Sequence, residues 1–249
     1  MYHISVFEMR VTIKKYGDTT YKVIFHKCSN SGLPFRYDDE NASSAASRSG
    51  EKEDCNLYRA KSKIREYALC NPWSYFVTLT IDSKKQDRYN VDEYVRDLGV
   101  WIGNYNKKYG CKLSYLLIPE QHKDGAWHMH GLFGGVAPDS LITNKHGYCD
   151  MPYYSQRFGY ISLSPVRDSV RTASYITKYV AKALGHTAIE LCKHSYYHSR
   201  GLALAETIGE TSARYIPDDI WSNDYCGVAW RGADDELAAL LERIEVVNV

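Results

Sequence analysis

One stretch limits the possible folds more than any other. Tyr115 to Gly134, YLLIPEQHKDGAWHMHGLFG, is two apolar runs joined by a short polar turn. Lys123-Asp124-Gly125 reads as a tight hairpin loop, because Gly125 can take the positive φ such a turn needs. With those three residues in the loop, His122 lies opposite Ala126 and Glu120 opposite His128. Side chains on a strand alternate faces, so His128 and His130 point one way with Glu120 across from them, and Met129 and Gly131 point the other. A two-residue Asp-Gly loop would instead set Glu120 opposite Met129, off that face.

Two neutral imidazoles and one carboxylate suit a divalent ion such as Mg²⁺, Mn²⁺ or Zn²⁺ and leave positions for a substrate oxygen. His-x-His alone is also what the solvent face of an antiparallel strand can show. The assignment of Glu120 as third ligand rests on the three-residue loop.

The remaining chain supplies a sheet and helices around this hairpin. Residues 2–27 alternate apolar and polar about Gly17-Asp18 and read as an N-terminal hairpin, taken as 1–28. Residues 29–55, rich in Ser, Asn, Gly and acids, read as a flexible linker with a small patch at Leu33–Tyr37. A helix is expected from Asn56 to about Leu69, and its Arg59, Lys61, Lys63 and Arg65 make four bases in seven residues. YFVTLTID, Tyr75–Asp82, is the clearest strand, with Phe76, Thr78 and Thr80 on one face. Residues 91–108 make an amphipathic helix stopped by Gly110. Pro138–Arg157 reads as irregular, Gly159–Leu163 as a short strand, and Ser195–Leu202 as a further strand. Asp168 is placed to cap a helix running to Leu184 and closed by Gly185. Residues 215–249 read as an acidic tail carrying a short helix over Asp234–Val247.

The helix after Asp168, DSVRTASYITKYVAKALG, has chemistry of its own. Tyr175 and Tyr179 lie one turn apart, and Arg171, Lys178 and Lys182 fall on the same side. Ala173, Ile176, Val180 and Leu184 face inward, and no acid occurs from Ser169 to Ile189. An ordinary phenol is a poor nucleophile at neutral pH, but adjacent cations favour its anion and also hold phosphates. The same pattern would also arise from tyrosines packed on a sheet beside solvated lysines.

Charge and composition narrow the partners. The net charge is +1, but residues 215–249 hold eight acids against two bases, −6, which leaves +7 on residues 1–214. A basic body is compatible with a polyanionic partner. The 22 Tyr against 6 Phe suit wet stacking surfaces such as those for single-stranded nucleic acid. Seven scattered cysteines with no CxxC pair fit reduced thiols rather than a zinc module or disulfide framework. No apolar run is long enough to cross a membrane, so a soluble cytoplasmic protein is expected.

Three places together carry a resemblance. FVTLT at Phe76–Thr80, HMH at His128–His130 and YITKYVAK at Tyr175–Lys182 resemble, in that order, the three motifs of rolling-circle replication initiators of the HUH endonuclease superfamily. The likeness is to members from small single-stranded-DNA phages, prophages and plasmids. It covers about 110 residues, and NPWSYFVTLT and YYHSRGL add flanking similarity. The resemblance implies an α+β fold, a central antiparallel β-sheet like an RRM palm with helices on one face, over residues 56–214. It implies His128, His130 and Glu120 as metal ligands, with Mg²⁺ or Mn²⁺ the expected ion. It implies Tyr175 and Tyr179, one or both, as nucleophiles aided by Lys178 and Lys182. Arg171, Arg200, Lys61 and Arg65 would contact DNA. The implied activity is metal-dependent nicking and strand transfer on single-stranded DNA at a replication origin in a bacterial host cell. The chain has no P-loop, so a host helicase and DNA polymerase would complete the work. A plasmid relaxase or single-tyrosine transposase of the same chemistry, a non-catalytic origin-binding regulator and a small-molecule metal hydrolase remain alternatives.

Overall fold

The computed structural model describes residues 9–27, 49–143, 149–184, 195–223 and 226–245. In chain order the strands are β1 (Met9–Tyr16), β2 (Thr20–His26), β3 (Tyr75–Ile81), β4 (Ser114–Gln121), β5 (Trp127–Gly134), β6 (Ile142–Thr143), β7 (Cys149–Asp150), β8 (Gly159–Pro165), β9 (Tyr197–His198), β10 (Glu206–Ala213), β11 (Trp221–Ser222) and β12 (Cys226–Arg231). The helices are α1 (Ser49–Cys70), α2 (Val91–Tyr109), α3 (Pro152–Arg157), α4 (Ser169–Leu184) and α5 (Asp234–Glu245). Among the described residues the strands form two antiparallel sheets, and the fold is mixed α+β as expected.

The chain divides into two compact units, one of residues 48–203 and one built from both chain ends, residues 1–47 and 204–249. The larger unit holds the sheet ordered β6-β7-β8-β3-β5-β4-β9, so β3 and β5 run through its middle. Val77, Leu79 and Ile81 of β3 join Trp127, Met129 and Phe133 of β5 on one face, packed against Tyr94, Leu98, Trp101, Ile102 and Tyr105 of α2. α2 forms here because its apolar residues recur at helical spacing. The Asn90 side chain accepts the Glu93 N–H at 3.2 Å to start it, and Gly110, at φ 61°, ends it in the left-handed region. The opposite face is covered by α4, whose Ala173 and Ile176 are buried, with α1 packed alongside α4. Helices therefore lie on both faces of this sheet, where the resemblance implied one.

The smaller unit corrects the expected division more deeply. β10-β1-β2-β12-β11 is one sheet, so the N-terminal hairpin, residues 206–213 and part of the acidic segment are pieces of one structure. Val11, Ile13, Val23 and Phe25 pack against Leu240 and Ile244 of α5 on one face. Residues 215–249 are thus a partner to the N-terminal hairpin rather than a tail. Its helix spans Asp234–Glu245.

Other expectations shift locally. Helix α1 begins at Ser49, so 49–55 are helical rather than linker; 28–48, including Leu33–Tyr37, lie outside the described residues. Pro138–Arg157 is not irregular: it contains a 3-10 turn at Pro138–Ser140, β6, β7 and α3, with 144–148 outside the described residues. Ser195–Leu202 contributes only the two residues of β9, and Gly185 lies outside the described residues. The tyrosine excess serves the core as well as the surface. Tyr94 and Tyr154 are fully buried with their hydroxyls 2.7 Å apart, and burial pushes both phenols well up. Cys70, Cys111, Cys149 and Cys226 are free thiols.

Candidate active site

The loop between β4 and β5 has three residues. His122 N–H donates to the Ala126 carbonyl and Gly125 N–H to the His122 carbonyl, both at 2.9 Å. Gly125 sits at φ 84°, the conformation that glycine takes without a steric cost. The Asp124 side chain accepts the Ala126 N–H at 3.1 Å, and that bond together with Arg88 holds its carboxyl below the usual range. The resulting register pairs Glu120 with His128 and Gln121 with Trp127. The two-residue alternative is excluded.

β3 pairs with β5 on the other side, Thr78 opposite His130 and Thr80 opposite His128. Each threonine hydroxyl lies 3.2 Å from the Nδ1 of the imidazole it faces. Both rings are therefore held through Nδ1, which makes Nε2 the nitrogen turned away from β3. Glu120 reaches diagonally, and its Oε2 lies 2.7 Å from His130 Nε2. His130 is 9% exposed. The His122 ring stacks on His128 at 3.8 Å between centroids, 18° from parallel. Burial first, then the neighbouring His122 and His130, lower the pKa of His128 and favour the neutral ring.

The tyrosine helix comes to this same face. Asp168 caps α4, accepting the Arg171 N–H at 2.9 Å, and the Thr172 hydroxyl donates to the Asp168 carbonyl at 2.7 Å. Ala173 and Ile176 point inward while Tyr175 is 48% exposed. The Tyr175 ring meets Phe76 edge-on at 5.3 Å, and Phe76 stacks toward His130 at 6.4 Å. Phe76 shares the β3 face with Thr78 and Thr80, so Tyr175 and the imidazoles lie on one side of the sheet. The backbone of α4 continues through 178–184, but the side chains of Lys178, Tyr179 and Lys182 lie outside the described residues.

The cations named for DNA are scattered. Arg171 is 90% exposed, with Nε 3.3 Å from Asp168 Oδ2. Lys61 and Arg65 are half-exposed on α1, which runs beside α4, and Arg200 is exposed in the turn after β9.

The donor set fits a hard divalent cation: two imidazoles fixed through Nδ1 and a carboxylate share one face. The donors are not drawn to one point, since Glu120 closes on His130 and His128 stacks on His122. Among the described residues no three His, Cys, Asp or Glu side chains form a ready-made cation cage. Sequence reasoning missed four contributors: Thr78, Thr80, Phe76 and His122. The first three share parity along β3, but only the β3–β5 pairing, which no local pattern encodes, reveals what they face.

Residues 74–184 match the model of the family Replication-associated protein ORF2 (gene 2 protein). The match runs from the residue before β3 to the end of α4, lies within the larger unit, and supports a rolling-circle replication initiator family. No curated protein and no solved structure matches the chain. No described helix is long and apolar enough to cross a membrane.

Proposed function

With that family match as premise, we propose that the protein starts rolling-circle replication by nicking one strand of single-stranded origin DNA and transferring it through a covalent 5′-phosphotyrosine link. The phenolic oxygen of Tyr175 or Tyr179 attacks the scissile phosphorus and gives up its proton to solvent or a nearby base. The new O–P bond forms as the P–O3′ bond breaks, and the departing 3′ oxygen takes up a proton to become a hydroxyl. The phosphoester is conserved, so a 3′-hydroxyl can later attack the phosphotyrosine and rejoin the strand. His128, His130 and Glu120 would hold Mg²⁺ or Mn²⁺, which neutralises charge on the non-bridging phosphate oxygens. Thr78 and Thr80 hold the two imidazoles in register for that task, and Glu120 turns from His130 to join them. Lys178 and Lys182, one turn apart on the cationic strip, steady the phosphate. Host helicase and polymerase would open and copy the duplex.

The observation that carries the reading is Phe76: its ring touches Tyr175 on one side and stacks toward His130 on the other. A phenol and two imidazoles brought to one sheet face suit phosphoryl transfer. The test incubates the protein with randomised single-stranded oligonucleotides, with Mn²⁺ or with chelator, and looks for a denaturation-resistant protein–DNA adduct. An adduct that needs the cation supports the reading; binding without any adduct supports the non-catalytic regulator instead.

A further inference from the structure

The smaller unit carries a sheet face that the nicking chemistry does not use. Its buried face meets α5 through Val11, Ile13, Val23 and Phe25, so the alternate residues of the same strands form the opposite face. Cross-strand register sets them in rows: Arg10, His26 and Cys226; Thr12, Ile24, Val228 and Trp221; Lys14, Lys22 and Trp230. Arg10 is exposed, Lys14, Lys22 and Trp230 are half-exposed, and Trp221 is 59% exposed. The Lys22 ammonium lies 5.5 Å from the centre of the Trp230 ring, and Tyr16 packs edge-on to Trp230 at 5.1 Å. Glu210, opposite Thr12 on the edge strand, is the acid these rows include. Asp234, Asp235, Glu236 and Glu242 belong to α5, the helix on the other face. One face therefore combines aromatic rings with cations while the acids of this segment cluster behind it.

We propose that this face is a second binding surface for single-stranded DNA, with bases stacking on Trp221 and Trp230 and phosphates meeting Arg10, Lys14 and Lys22. The inference rests on the reading of the chain as a protein that works on single-stranded DNA. Exposed tryptophans alone would fit a protein partner. Cations interleaved with aromatics on an extended sheet fit a strand whose bases are unpaired and whose backbone is charged, and this binding is tolerant of sequence. The unit would then hold DNA of any sequence while the larger unit recognises and cuts its site.

The test uses the full chain and a fluorescein-labelled thymidine oligonucleotide of about 20 nucleotides, which carries no origin sequence and exceeds the site size of one such module. Anisotropy is followed across a salt series. For Arg10→Gln/Lys14→Gln/Lys22→Gln, three lost phosphate contacts predict about a hundredfold weaker binding near 0.1 M salt and a log–log salt slope shallower by about 2. Trp221→Leu, at an exposed site where folding is spared, should weaken binding about tenfold through one lost stack. Both variants should keep adduct formation on short nickable oligonucleotides. Wild-type affinity and slope in Trp221→Leu and in the single Lys22→Gln variant would overturn the proposal, even if the triple variant misfolds. So would equal, Trp221-independent binding of the duplex, or a change in self-association rather than DNA affinity. A failed adduct assay with the predicted losses in thymidine binding would overturn the nicking reading and leave this one standing.

Discussion

Replacing Thr78 and Thr80 by valine tests whether the imidazoles are held for a cation or merely packed. Each hydroxyl lies 3.2 Å from a histidine Nδ1 across the β3–β5 ladder. Valine keeps the volume and suits a strand, so the sheet should lose little. What disappears is the bond that fixes ring rotation. A neutral hydrogen bond contributes about 1 kcal/mol net, and removing such an orienting partner behind a ligating histidine typically weakens metal binding about 10–100-fold. Thr80→Val should therefore raise the Mn²⁺ dissociation constant about tenfold, and the double variant about a hundredfold if the sites act independently. Calorimetric titration with Mn²⁺ measures this directly. Thermal stability should stay within about 1 kcal/mol of wild type, and adduct formation should return at high Mn²⁺. Unchanged Mn²⁺ affinity in the double variant would refute the orienting role. Loss of activity that excess metal does not restore would place the threonines in another task.

Three further perturbations follow from other contacts. A Cβ added at Gly131 would lie 2.1 Å from the Leu116 carbonyl oxygen and 2.9 Å from Leu117 Cα, backbone atoms that cannot swing away; Gly131→Ala should cost about 3 kcal/mol or more in chemical denaturation, and a cost near zero would contradict the β4–β5 register. Tyr94→Phe strips the buried Tyr154 hydroxyl of the partner 2.7 Å away and should cost about 1–3 kcal/mol, whereas Tyr94→Phe/Tyr154→Phe should recover part of it; additive losses would argue against the pair. Burial lowers the pKa of both His128 and His26 in the folded state, so the unfolded chain takes up protons first as pH falls. Their contribution to stability is full above about pH 6.5 and shrinks below it. The melting temperature should fall from pH 7 to 5.5, less steeply in His128→Gln/His26→Gln, and a rise on acidification would contradict the sign.

How far the sequence carried the reading depended on how local each determinant is. The β4–β5 hairpin was legible because its loop chemistry, Asp124-Gly125 between apolar runs, sets the register of Glu120 and His128 within twenty residues. α2 and α4 were legible because their caps, Asn90, Gly110 and Asp168, sit beside clear apolar stripes. The smaller unit was hidden because β1 pairs with β10 from the far end of the chain, and ETIGETSA shows no apolar alternation to announce a strand. CGVAWR, six residues long, is equally quiet until Thr20–His26 is known to lie beside it. Tyrosine count was ambiguous for a different reason: composition cannot separate Tyr94, buried in the core, from Tyr175, exposed at the site. At the site, the two histidines were evident while Glu120's contact was not. Cross-strand register points it at His128, yet its side chain leans diagonally to His130.

The most direct test of the account is to map the linked residue by mass spectrometry of the peptide that retains a nucleotide after the protein has reacted with single-stranded DNA and Mn²⁺. The account predicts that the nucleotide is on Tyr175 or Tyr179, and that the modified peptide vanishes in Tyr175→Phe/Tyr179→Phe, in His128→Ala/His130→Ala and in chelator. A nucleotide carried on any other residue, or a modified peptide that persists in the double phenylalanine variant, would contradict it.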